Sequence, residues 1–234
     1  MTDRRVGAVS FTGSAAVGHT IARAAAPTKV LLELGSNAAL VVAADADLAA
    51  ADAVARGGYY ASGQACIYVQ RVLVEAPVAE EFLGLLTNRV AAVTVGDPRD
   101  EATRVAALID AGSTRRVRDW IGEAVAAGAK VVAGGDGVPD GLTAWDEEIL
   151  GPVVSVRAVP DTDSAFDAVN RSRYGLQASV YTRSLATAFA AVERLQVGGV
   201  VVNEVPGFRA DNMPYGGVRT PASAGKDPAL RWRN

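Results

Sequence analysis

Val30-Leu31-Leu32-Glu33-Leu34-Gly35-Ser36-Asn37-Ala38-Ala39-Leu40-Val41-Val42 reads as two short strands in series, residues 30–34 and 39–42, broken at a glycine. Neither run alternates cleanly between apolar and polar. Strands with continuous apolar character are buried on both faces, which points to a parallel sheet covered by helices. Working outward, residues 8–11 form a strand, and Thr12-Gly13-Ser14 turns into a helix over 17–25. Asp47 reads as the N-cap of an alanine-rich helix ending near Gly57-Gly58, because a short acceptor side chain satisfies free N–H groups. Strands at 68–74, 130–132, 153–159, 178–182 and 199–203 then alternate with helices at 78–91, 114–127, 163–171 and 185–195. This alternation predicts an α/β protein with a largely parallel, two-sided sheet. Sites in open α/β sheets form beyond the carboxyl ends of strands, so those ends are expected to gather near a cleft.

A chain of 234 residues can bury a substantial core, as one large or two small domains. Half of its residues are apolar and 21% are charged, an ordinary globular balance. A net charge of −3 gives nucleic-acid binding no electrostatic support. No apolar run reaches the length of a membrane span, and Met-Thr-Asp-Arg-Arg lacks the apolar core of a secretion signal. No His/Cys cluster suggests a metal. A reduced, cytoplasmic setting is the expectation, and the single cysteine agrees with it.

That cysteine, Cys66, has no partner for an internal disulfide, so it is either a small buried apolar residue or a nucleophile. Gly63-Gln64 before it and an apolar run after it describe a loop entering a strand, a position from which a side chain can point into a cleft. Glu33, near the end of a glycine-terminated strand, supplies the base that a thiol or an attacking water needs.

Taken together, seven segments in order resemble the aldehyde dehydrogenase superfamily. They are Phe11-Thr12-Gly13-Ser14 with Gly18, Leu32-Glu33-Leu34-Gly35-Ser36-Asn37, Gly63-Gln64-Ala65-Cys66, Glu147-Glu148-Ile149-Leu150-Gly151-Pro152-Val153, Tyr174-Gly175-Leu176, Gly198-Gly199-Val200-Val201-Val202-Asn203 and Pro214-Tyr215-Gly216-Gly217. Leu-Gly-Ser-Asn and Phe208-Arg209-Ala210-Asp211 are most similar to the branch acting on small polar aldehydes: lactaldehyde, phosphonoacetaldehyde and non-phosphorylating glyceraldehyde-3-phosphate dehydrogenases.

The resemblance implies NAD(P)-dependent oxidation of an aldehyde to a carboxylic acid through a cysteine thiohemiacetal and thioester. It makes Cys66 the nucleophile and Glu33 the general base for the thiol or the hydrolytic water. Gly13, Ser14 and Gly18 would belong to the pyrophosphate site of NAD or NADP, and Leu34 to the same cofactor surface. Glu148 would hold the nicotinamide ribose. Leu150 stands where a phenylalanine is usual. Asn203 and Tyr215 would support and line the substrate funnel.

Family members are about twice as long, which implies a remnant cofactor-domain βα unit over 1–34, a catalytic domain over 35–206 and a shortened return tail over 207–234. The family's strand before Glu147 and its final strand are not legible here. On this reading the chain lacks most adenosine contacts and one oxyanion donor, and is slow or inactive alone. A homo-oligomer or association with a full-length homologue is expected. The rival readings are a non-catalytic fragment or partner subunit and a cofactor-free thiol hydrolase.

Overall fold

A computed structural model describes residues 3–134, 143–213 and 215–219. Two parallel sheets organise them. The smaller pairs β1 (Ala8–Thr12) with β2 (Lys29–Glu33), linked by helix α1 (Ala15–Ala25). The larger contains β3 (Ala39–Val42), β4 (Arg71–Glu75), β5 (Ser155–Val159), β6 (Gln177–Tyr181) and β7 (Gly199–Val202), in the order β5-β4-β3-β6-β7. Every pairing in it is parallel.

The apolar runs make this sheet two-sided, as their composition required. Leu40, Val42, Val72 and Val74 face α2 (Ala50–Tyr59) and α3 (Ala76–Ala91), packing with Val54, Phe82 and Leu86. Ala39, Val41, Leu73, Ala178 and Val180 face α6 (Thr162–Asn170) and α7 (Leu185–Arg194), packing with Phe166, Val169 and Leu195. A third, smaller cluster around Val117, Ala144 and Ile149 is built by α4 (Ala111–Ala126) and the short α5 (Thr143–Asp146). Helix starts follow short acceptors: Asp110, Asp161 and Ser184 each accept a hydrogen bond from the backbone N–H three residues on.

Three sequence expectations need correction. Residues 130–132 form no strand; Val131 and Val132 are about half exposed beyond α4 and pair with no strand among the described residues. Asp47 does not cap α2. Its Oδ1 accepts from Ala49 N in a separate turn, and the helix proper starts at Ala50 with Ala49 as N-cap. The strand expected from 68 begins only at Arg71, because Val69 N donates to Gly57 O and Gln70 N to Ala38 O, outside the regular ladder. The expected strand gap before Glu147 falls partly on 135–142, and the altered end of the return segment on 220–234, both outside the described residues.

Candidate active site

Beyond α2 the chain makes one left-handed turn before the cysteine. Ala61, Ser62 and Gly63 have φ of 48°, 57° and 70°. That region costs a non-glycine residue about 1–2 kcal/mol, so the surroundings must hold it. The hydroxyl oxygen of Ser62 accepts from Ala106 N at 3.0 Å, and Gln64 Oε1 accepts from Ile109 N at 3.0 Å. At Gly63 a Cβ would lie 1.9 Å from the carbonyl oxygen of Gly151, so only glycine fits there. Cys66 is thereby presented from a braced loop, half-buried, ahead of the amino end of β4.

Cys66 Sγ lies 3.4 Å from the Tyr215 hydroxyl. Burial pushes the thiol pKa up; the hydrogen bond with Tyr215 lowers it, and the charges of Glu148 and Glu33 raise it. Desolvation and the neighbouring thiol hold the Tyr215 phenol protonated, well above its ordinary range. Tyr215 therefore donates to the sulfur whenever the sulfur is a thiolate. Glu33 is the last residue of β2, and burial raises its pKa against the opposing charge of Arg209. The Arg209 guanidinium lies 4.0 Å from the Tyr215 ring centroid. Sequence reading gave Arg209 no role. Its position in the Phe208-Arg209 segment was the available signal, but only folding shows that it faces Glu33 and Tyr215.

Glu148 approaches from the loop before β5. Its Oε1 accepts from Ser36 N at 2.9 Å, and its Oε2 fills the space over Gly35, where a Cβ would come within 1.9 Å. Burial raises its pKa to about 7. Fully buried Gln70 straps the loop: its amide nitrogen donates to Glu147 O, and its Oε1 accepts from Ile149 N at 2.9 Å and from the Tyr68 hydroxyl at 2.8 Å. Arg116 donates to Ile149 O at 2.6 Å. Leu150 follows at φ 48°, half-buried.

The cofactor candidates sit around α1. Ser14 is its exposed N-cap residue, its side chain makes no capping bond, and no acidic residue occupies the first helical turn. Gly13 N donates to Glu33 O at 3.0 Å, which ties the helix entrance to the base. Gly18 is buried against Leu34, whose Cδ2 would be 2.5 Å from a Cβ at 18. An uncapped helix N-terminus beside a free hydroxyl suits a phosphate, so these residues fit the pyrophosphate of a dinucleotide.

Two placements differ from expectation. The structure gathers Cys66, Glu148, Ser36 and Gln70 before the amino ends of β3, β4 and β5, and meets a carboxyl end only at Glu33 of β2. Asn203 sits at the other end of the large sheet. In left-handed backbone (φ 56°), it accepts from Thr182 N through Oδ1 and donates to Thr182 O through Nδ2, joining the carboxyl ends of β6 and β7. Its amide is thus taken up by these two bonds to Thr182. Pro214, from the same segment as Tyr215, lies outside the described residues.

Residues 1–227 match the aldehyde dehydrogenase family. The 3-sulfolactaldehyde dehydrogenase of Priestia aryabhattai is 36% identical over 241 residues, covering 97% of this chain and 50% of that protein. A lactaldehyde dehydrogenase of Methanococcus aeolicus is 35% identical, over 93% of this chain and 49% of the relative. Among solved structures, aldehyde dehydrogenase 21 of Physcomitrella patens, in complex with the reaction product succinate, superposes with a TM-score of 0.88 at 34% identity, covering 94% of this chain and 49% of that one. The NADP complex of a glyceraldehyde-3-phosphate dehydrogenase from Methanocaldococcus jannaschii gives 0.87 at 31% identity, covering 94% and 51%. The chain spans about half the length of the curated relatives it matches. On sequence, fold and the order of its site segments, the chain belongs to the aldehyde dehydrogenase family.

Proposed function

We propose that this chain carries the covalent half of an NAD(P)-dependent aldehyde oxidation, with Cys66 as nucleophile and Glu33 as general base. The observation that carries it is Cys66 Sγ at 3.4 Å from a protonated Tyr215, with Glu33 and Glu148 both near enough to raise the thiol pKa. The resting thiol is protonated; a carboxylate whose own pKa is raised is the better partner for taking its proton. The sulfur then adds to the aldehyde carbon, the carbonyl electron pair moves to oxygen, and Glu33 returns its proton to that oxygen, giving a thiohemiacetal and a free carboxylate. The hydride that leaves that carbon is the chemistry for which a bound nicotinamide would be the acceptor, and the thiohemiacetal's hydroxyl proton passes to solvent. The thioester that remains on Cys66 is attacked by water whose proton passes to Glu33; the C–S bond breaks, releasing the carboxylate and regenerating the thiol. Ser14, with the N-terminus of α1, would hold the pyrophosphate, and Glu148, anchored on Ser36 N, would face the nicotinamide ribose.

The substrate is a short aldehyde with a polar or anionic tail. Arg209, stacked on Tyr215 and facing Glu33, supports this, as do relatives named for lactaldehyde and sulfolactaldehyde. Residues 1–34 act as the cofactor-facing unit, since β1 and β2 form a sheet of their own. Residues 35–206 act as the catalytic unit and 207–234 as a return segment. A reduced, cytoplasmic compartment suits a lone thiol used this way. The test is nicotinamide reduction followed by fluorescence with a panel of small aldehydes, using Cys66→Ser as blank. Cys66-dependent reduction is expected. Equal signal from wild type and Cys66→Ser would contradict the assignment.

A second copy, or a longer homologue, is the expected partner. Leu185, Phe189 and Val192 form an exposed apolar stripe on α7, beside β7, which lies at one end of the strand order. Exposed stripes of this kind mark association surfaces.

A further inference from the structure

β4 opens with an arginine in an unusual position. Arg71 is only 3% exposed, and among the described residues no carboxylate forms an ion pair with it. Its hydrogen bonds go to carbonyls: Nε to Asn37 O at 3.2 Å, and one terminal nitrogen to Ala168 O at 3.5 Å. Carbonyl dipoles, an aromatic face and the longer-range charge of Asp146 are what stabilise it, and burying a cation without a direct ion pair is costly. Trp145 supplies the face, with Arg71 Cζ 5.6 Å and Arg157 Cζ 4.0 Å from the ring centroid. Burial lowers the Arg71 pKa to about 10 against the charge of Asp146, and Arg157 adds to the lowering.

Arg71, Arg157, Arg171 and Trp145 line a cavity of about 220 Å3, together with Asp146. Arg157 and Arg171 also lack an ion-pair partner among the described residues. Three guanidinium groups therefore face a single carboxylate. The volume equals several waters at about 30 Å3 each, enough for a small ion.

We propose that this cavity, on the α6 side of the edge strand β5, binds a small oxyanion of the phosphate class. Tetrahedral oxygens can meet guanidinium forks arriving from β4, from β5 and from the end of α6, whereas a monocarboxylate satisfies one fork. The site is separate from the cysteine cleft but tied to it. Asn37 accepts from Arg71 through its carbonyl and donates through Nδ2 to the carbonyls of Trp145 and Asp146, while the preceding Ser36 donates to Glu148.

Calorimetric titration of the whole chain with inorganic phosphate, at constant ionic strength in chloride, tests this. One saturable site is expected, with a change in Trp145 emission. Arg157→Gln and Arg171→Gln alter exposed side chains and should leave the fold intact, as thermal melting would verify. Each should weaken binding about tenfold or more, and Asp146→Asn should tighten it. Phosphate also suits the N-terminus of α1, so Ser14→Ala is the control. Absence of saturable heat, or binding that survives both arginine variants, or binding lost only in Ser14→Ala, overturns the proposal.

Discussion

At the scale of single residues, the Cys66 thiol is held protonated by burial and two carboxylates, and Tyr215 is the main group that pulls its pKa down, with a smaller pull from the cysteine's own backbone. Removing the phenol hydroxyl raises the thiol pKa further and shrinks the thiolate fraction. Tyr215→Phe should therefore slow iodoacetamide alkylation at pH 7.5 by about three- to tenfold, while Glu33→Gln, which removes a repelling charge, should speed it. Rates measured from pH 6 to 10 check both signs. Glu148 allows a stability test. Its folded pKa of about 7 lies above the unfolded value near 4.5, so the folded state holds the proton more tightly. The stability this contributes is complete below about 4.5 and is lost as pH rises through 7. Glutamine keeps an acceptor for Ser36 N without the charge. Glu148→Gln should thus be more stable than wild type by about 1–3 kcal/mol at pH 8 and nearly equal to it at pH 5, read by urea unfolding. Cys66 and Glu33 were legible in the sequence because they stand inside distinctive segments. Arg209 and Arg71 were not, since each acquires its meaning from elements far away in the chain.

At the scale of elements, the left-handed turn and the Gln70 strap place the cysteine. Gly63→Ala would drive a Cβ into the Gly151 carbonyl and add strain at φ 70°. It should cost about 1–3 kcal/mol and change the Cys66 alkylation rate, because the loop must shift. Gln70→Ala leaves Ile149 N, Glu147 O and the Tyr68 hydroxyl without their partner at a buried position. A loss of about 2–4 kcal/mol in chemical unfolding is expected, and a change below 1 kcal/mol would show that the strap is dispensable. Periodicity located most strands and helices because burial on both sheet faces imposes continuous apolar runs. It failed at 130–132, where valines follow a helix with no strand among the described residues to join, and at 68–70, where Tyr68, Val69 and Gln70 belong to a loop. It could not show that the site gathers at the amino ends of β3, β4 and β5. That follows from which loops meet, and β-propensity carries no such information.

At the scale of the molecule, a five-stranded parallel sheet with helices on both faces supports the cysteine loop, and the separate β1–α1–β2 unit carries Ser14 and Glu33. The exposed stripe on α7 predicts self-association: sedimentation should show a concentration-dependent dimer, and Phe189→Glu should shift it to monomer. The covalent chemistry at Cys66 is the claim on which the functional reading stands, and it can be tested without any nicotinamide. Cys66 is the only cysteine, so intact-mass measurement of iodoacetamide labelling reports on that sulfur alone. Preincubation with lactaldehyde should slow labelling in a saturable way, because the thiohemiacetal removes the free thiol, and removal of the aldehyde should restore the rate. A labelling rate unchanged at saturating aldehyde concentrations would contradict the account.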